Sequence, residues 1–180
     1  MGSRKFGLKL LGTHLLMSVI QFFLYLILFS IFQDSKIYQW FMGIVFILIF
    51  WLVIYSDASY YGQNDIKRNN YFHYKGFIAG VIATLPGILF YMGSLIYAPI
   101  GILLRLWLIP YVQVYVSLAS AMPHLTIILA LLFPLVSGFS YRDGIRRRNK
   151  VLKAIEKKDS QRVELSKRSI KWSTSIGAFF

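Results

Sequence analysis

One helix face near the N-terminus carries polar groups inside an apolar run. Thr13, His14, Ser18, Gln21 and Tyr25 all fall within 10–32. The spacing 14, 18, 21, 25 sets His14, Ser18, Gln21 and Tyr25 on one side of a helix. A polar stripe in an apolar helix faces protein or a cavity rather than lipid. It serves either interhelical hydrogen bonding or a pathway for a substrate or ion. Asp57 and Asp65 lie with Lys67, Arg68 and Lys75 in the polar stretch 56–75. Carboxylates at a membrane interface hold a divalent ion or act on a lipid phosphate. The simpler expectation is that they pair with those cations, in a loop that meets lipid headgroups or a partner. Arg105 stands in an apolar segment, where it either anchors at the interface by snorkelling or binds an anionic group.

Familiar catalytic spacings are missing. The chain has no Gly-x-Ser-x-Gly, no His-Glu-x-x-His, no glycine-rich phosphate loop and no acidic pair at metal spacing in an apolar run. His14, His73 and His124 are far apart in sequence. The absence of cysteine excludes disulfides, thiolate metal sites and cysteine nucleophiles. No cofactor is identified by these residues.

The elements that position these groups are transmembrane helices. Hydrophobic residues make up 57% of the 180 residues, against roughly 45–50% in soluble domains. They fall in blocks long enough to cross a bilayer core of about 30 Å. The expected fold is an all-α four-transmembrane-helix bundle over 1–141, with spans at 10–32, 40–55, 76–97 and 124–141. The first apolar run is too long for a cleavable signal peptide. Tyr38, Trp40, Trp51 and Tyr55 mark the interfaces of the second span. In the third, Gly76, Gly80, Ala83 and Gly87 form small-x-x-x-small pairs that let another helix approach closely, and Pro86 is expected to kink it. Residues 98–122 contain Pro99, Gly101, Arg105 and Pro110, which favours an interfacial or re-entrant segment over a fifth span.

Charge sets the expected orientation. The net charge is +13, and residues 142–171 hold 12 of the 20 basic side chains. With four spans, the N-terminus, the 56–75 loop and the tail share one side and carry 18 of those 20. That pattern puts both termini in the cytoplasm. The tail, 142–180, is expected to carry a basic amphipathic helix. Arg142, Arg146, Arg147, Arg148 and Lys150 would meet anionic lipid or a partner, with a solvated extension as the plainer reading. Nucleic-acid binding is not expected. Trp172, Phe179 and Phe180 would need an apolar contact if ordered.

Gly62-x-x-Asp65, then Tyr74-Lys75-Gly76-Phe77, then Pro86, is similar to small four-span membrane proteins of low-GC Gram-positive bacteria. That resemblance carries no activity. The expected setting is the bacterial cytoplasmic membrane. The expected role is a non-enzymatic subunit or accessory of a larger membrane assembly, plausibly for transport, with protein partners or copies of itself. The alternatives are a small stand-alone or oligomeric transporter or channel, and a lipid-modifying enzyme using Asp57, Asp65 and Arg105.

Overall fold

The computed structural model describes residues 2–32, 35–118, 122 and 124–177, with side chains for all of these except Phe29, Phe32 and 166–177. Asp34, Phe179, Phe180 and the Trp172 side chain lie outside the described residues. The elements are α1 (Ser3–Phe32), α2 (Lys36–Lys67), α3 (Lys75–Ile96), α4 (Ile100–Trp107), a 3-10 turn (Ile109–Tyr111), α5 (Val112–Leu118) and α6 (Leu125–Gly177). Four of them, α1, α2, α3 and α6, are long and apolar enough to cross a membrane. This is the build of an integral membrane protein.

Each long helix buries one stripe at helical spacing. On α1 the stripe is Phe6, Leu10, His14, Met17 and Gln21. On α2 it is Phe46, Phe50, Ile54, Ala58, Gly62 and Asp65. On α3 it is Gly76, Ala79, Gly80, Ala83, Thr84 and Gly87. On α6 it is Leu125, Leu129, Phe133, Ser137 and Tyr141. The opposite faces carry exposed Leu52, Leu89 and Leu131. Lipid tails solvate such faces as well as protein does, so close packing and interhelical hydrogen bonds must hold the helices together.

The contacts fix the directions of the helices. Phe6 packs on Tyr61 and Gln21 donates to the Phe46 carbonyl at 2.8 Å, so α1 and α2 are antiparallel. Phe50 meets Phe133 and Ser59 meets Gly144, so α2 and α6 run in the same direction. Gly76 lies at Tyr141 and Gly80 at Pro134, so α3 opposes α6. The N-terminus, the α2–α3 turn and the stretch after Tyr141 therefore share one end of the bundle.

Several boundaries differ from the sequence reading. Residues 56–67, expected as loop, are helical. The stripe of Ala58, Gly62 and Asp65 continues the burial pattern of α2 by three- and four-residue steps, so packing carries the helix through polar sequence. It stops at Asn69, whose φ of 50° is left-handed. The Asn69 N–H donates to the Ile66 carbonyl and the Asn70 N–H to the Asp65 carbonyl, at 3.1 and 3.0 Å, which satisfies the last carbonyls of α2. Helix α3 runs unbroken through Pro86, and α6 through Pro134. Helix α6 also passes Tyr141 without a stop and reaches Gly177, a 53-residue helix. At 1.5 Å per residue it is about 80 Å long. Between α3 and α6, the axes of α4 and of the following helical stretch meet at 66°. The elbow, from Trp107 to Tyr111, is buried in the bundle.

Candidate functional site

The strongest polar constellation sits at the shared end. Asp65 is in the last turn of α2, Lys75 opens α3, and Tyr141 projects from α6. Lys75 Nζ lies 2.7 Å from Asp65 Oδ2, and both side chains are only 4% exposed. Tyr141 Oη donates to the same oxygen at 2.8 Å, and Lys75 Nζ also donates to the Asn70 carbonyl at 3.2 Å. One carboxylate thus joins three helices. Two buried charges bring little net stability by themselves, but removing one partner strands the other and costs about 3–5 kcal/mol. The pair therefore specifies which helix ends meet.

The backbone leaves room for this clamp. An added Cβ on Gly62 would run into the Tyr141 carbonyl, and one on Gly144 would lie 2.7 Å from the Ser59 carbonyl carbon. Added at Gly76 or Gly80, it would overlap Tyr141 and Ser137. Ser137 Oγ donates to the Gly76 carbonyl at 3.0 Å, a hydrogen bond that this close approach permits. Around the clamp, Thr13 Oγ1 donates to Asp57 Oδ2 at 2.7 Å, and Lys9 Nζ sits 4.7 Å from the Tyr61 ring centre. Tyr55, Asp143 and Arg147 form an outer group. Arg147 Nε donates to Asp143 at 2.7 Å and its Nη2 to Tyr55 Oη at 2.8 Å, while Tyr55 Oη donates to Asp143.

A second polar cluster lies deeper. The His14 ring stacks on Trp107 with centres 4.1 Å apart, and its Nε2 donates to the Trp107 carbonyl at 3.1 Å. Phe50 meets the same ring edge-on at 5.1 Å. A cavity of about 10 Å³ adjoins them, lined by His14, Thr84, Tyr111 and Thr126 among apolar groups. That is about the space of one water. His14 Nδ1, Ser18 Oγ, Gln21 Oε1 and Tyr111 Oη have no protein hydrogen-bond partner among the described residues. Tyr25, further along α1, is only half-buried.

The remaining sequence candidates scatter. Gly76, Gly80 and Ala83 face the interior with Gly87, whose added Cβ would lie 2.8 Å from Trp107 Cδ1. Of the cations near the carboxylates, Lys75 is the one paired with Asp65, while Lys67 and Arg68 are exposed. Arg105 is exposed on α4, beyond the far end of α3, and so does not join Asp57 and Asp65. The histidines lie at three levels: His14 on α1, His73 before α3, His124 before α6. On α6, Arg146, Arg147 and Lys150 are exposed, and Arg142 and Arg148 are half-buried.

Tyr141, Ser137, Gly144, Trp107 and Tyr111 were not singled out by sequence reasoning, and Gly62 entered only through a resemblance, without its packing role. A signal existed for α6. Ser137, Ser140 and Gly144 recur at i, i+3 and i+7, a small-residue stripe matching the one on α3. For Trp107 and Tyr111 no local signal existed, because their roles depend on the elbow entering the bundle. Comparison with protein-family models, with curated proteins and with solved structures gave no match.

Proposed function

We propose that this chain is a non-enzymatic subunit or accessory of a larger membrane assembly, a transport complex, in a bacterial cytoplasmic membrane. The observation that carries this reading is α6. It leaves the bundle as one continuous helix, and from Arg146 to Leu165 nearly every side chain is exposed. A long basic arm rigidly joined to a membrane span is suited to contacting a partner or an anionic surface. Asp65, Lys75 and Asp57 are meanwhile engaged in holding helices together. In this reading the shared end is cytoplasmic, following the positive-inside bias. In the same reading the segment 98–118 re-enters from the outer side, bringing Trp107 and Tyr111 to the level of His14. Because α6 is unbroken, its basic arm points away from the membrane, and lipid contact is confined to its first turns. This reading therefore departs from an amphipathic tail that meets anionic lipid along its length, and favours the partner.

The test is purification of the full chain in mild detergent, with mass spectrometry of the associated proteins. It is compared with a variant carrying Glu at Arg146, Arg147, Arg148 and Lys150. The reading expects a defined partner with the native chain and its loss in the variant. A native chain that purifies alone, or one whose partner is unaffected by charge reversal, contradicts it.

A second reading, a stand-alone transporter or channel, is favoured by the buried polar atoms without partners on His14, Ser18 and Gln21. Proteoliposome flux that Ser18→Ala and Gln21→Leu abolish, in folded protein, would establish it. Flux that is absent, or indifferent to both changes, would remove it.

A further inference from the structure

Near the shared end, an open pocket of about 160 Å³ lies between α3 and α6, and its lining changes character along the helices. Phe77, Leu135 and Phe139 line it on the side toward the middle of the bundle, and His73, Tyr74 and Arg142 line it toward the shared end. Arg142 has no ion-pair or hydrogen-bond partner among the described residues. The acidic groups nearest in the fold are already engaged. Asp65 takes Lys75 and Tyr141, and Asp143 takes Tyr55 and Arg147. A half-buried guanidinium with no carboxylate beside it, above an apolar pocket, calls for an anion attached to an apolar body.

We infer that this pocket holds one anionic phospholipid, its phosphate at Arg142 and an acyl chain against Phe77, Leu135 and Phe139. The inference rests on the reading that the shared end faces an anionic leaflet. It adds a defined site to a general charge attraction. The phosphate takes a fork of donors from Arg142, and His73 offers a further ring nitrogen. The chain covers apolar surface that is exposed in the bundle alone, with Phe139 68% and Leu135 46% exposed. The basic side chains of the arm, Arg146 onward, lie outside this pocket and attract lipid only as a field.

Native mass spectrometry of the full chain, released from bilayer discs of mixed phosphatidylglycerol and phosphatidylcholine with matched chains, tests the inference. Wild type is expected to retain a single phosphatidylglycerol in preference to phosphatidylcholine. Both lipids carry the phosphate, so the preference comes from net charge: the choline cation of phosphatidylcholine is repelled by Arg142 and the uncharged glycerol headgroup is not, which makes it roughly tenfold. Arg142→Gln should remove the preference, and Arg142→Lys should restore part of it. Leu135→Trp, at a half-exposed position, should fill the pocket and lower retention of any lipid. Arg146→Gln removes the same charge one turn away and should change neither. Circular dichroism and monodispersity confirm that each variant is folded. Equal retention by Arg142→Gln and wild type overturns the site, and so does equal loss in Arg142→Gln and Arg146→Gln. Orientation is scored separately, by accessibility on intact cells of a reporter fused at the far end of the α6 arm. If the arm proves cytoplasmic while no single lipid is retained, the site fails and the orientation stands. If the arm proves external, the orientation fails, and the inference that rests on it fails too. Inorganic phosphate that displaces the retained lipid at millimolar level would show that a free anion, not a lipid, is the ligand.

Discussion

The two polar regions of this bundle solve the same problem in opposite ways. At the shared end, Asp65, Lys75 and Tyr141 are buried, charged or strongly polar, and mutually engaged at 2.7–2.8 Å. In the interior, His14, Ser18, Gln21 and Tyr111 are also buried, yet each keeps a polar atom without a protein partner among the described residues. The first region binds three helix ends through one carboxylate. The second leans on shape, with the His14 ring held between Trp107 and Phe50. A polar group in a membrane bundle can therefore serve as a structural lock or be carried at some cost. The number of its partners tells which.

That contrast can be broken by substitution. The largest effect is expected for Asp65→Ala, which strands Lys75 in an apolar setting and should cost about 3–5 kcal/mol. Replacing both residues with Leu should recover most of that loss, because a buried pair and an apolar pair are often nearly equivalent in stability. Reversible unfolding in mixed micelles checks both. A double variant that recovers less than half of the single loss would contradict the account.

Next come the glycines. Gly144→Ala places a methyl group on the Ser59 backbone, 2.7 Å from its carbonyl carbon, and should cost about 1–3 kcal/mol. Gly138→Ala meets Phe77 Cβ at 3.4 Å, close to an ordinary contact. It should be neutral, or gain up to about 1 kcal/mol from better helix propensity. Thermal denaturation in a single detergent ranks the pair, and a greater loss from Gly138→Ala would undo the packing argument. The smallest effect belongs to the interior. Gln21→Leu gives up the bond to the Phe46 carbonyl and removes an unpartnered oxygen. Interhelical bonds in bilayers average about 0.6 kcal/mol, so the net change should be about that or less. A loss of several kcal/mol in the same assay would mean that the stripe is a lock too.

Much of the outline was legible in the sequence, for a physical reason. Apolar runs of spanning length have few other uses, so the four long helices stood out. The small residues of α3 advertised close approach, although not that α6 and Trp107 were what approached. The polar stretch 56–67 misled because composition argued for a loop. The burial of Ala58, Gly62 and Asp65 at helical spacing is visible only once α6 is known to lie against them. Asp65 and Lys75 were among the candidates, with Lys67 and Arg68 as competing cations. Choosing Lys75 required the turn at Asn69, which folds the start of α3 back onto the end of α2. Tyr141 could not be found at all from its neighbours in sequence, since its partner lies 76 residues away.

The central claim is that the shared-end clamp is a specific lock and the interior polar groups are not. Two buried tyrosines test it with the same atom removed from each. Tyr141→Phe deletes a hydroxyl bonded to a carboxylate, and should lower the unfolding free energy by about 1.5–3 kcal/mol. Tyr111→Phe deletes a hydroxyl without a protein partner, and should change it by less than about 1 kcal/mol in either direction. Measured side by side in one detergent, that ordering supports the account. Equal losses, or a larger loss from Tyr111→Phe, would contradict it.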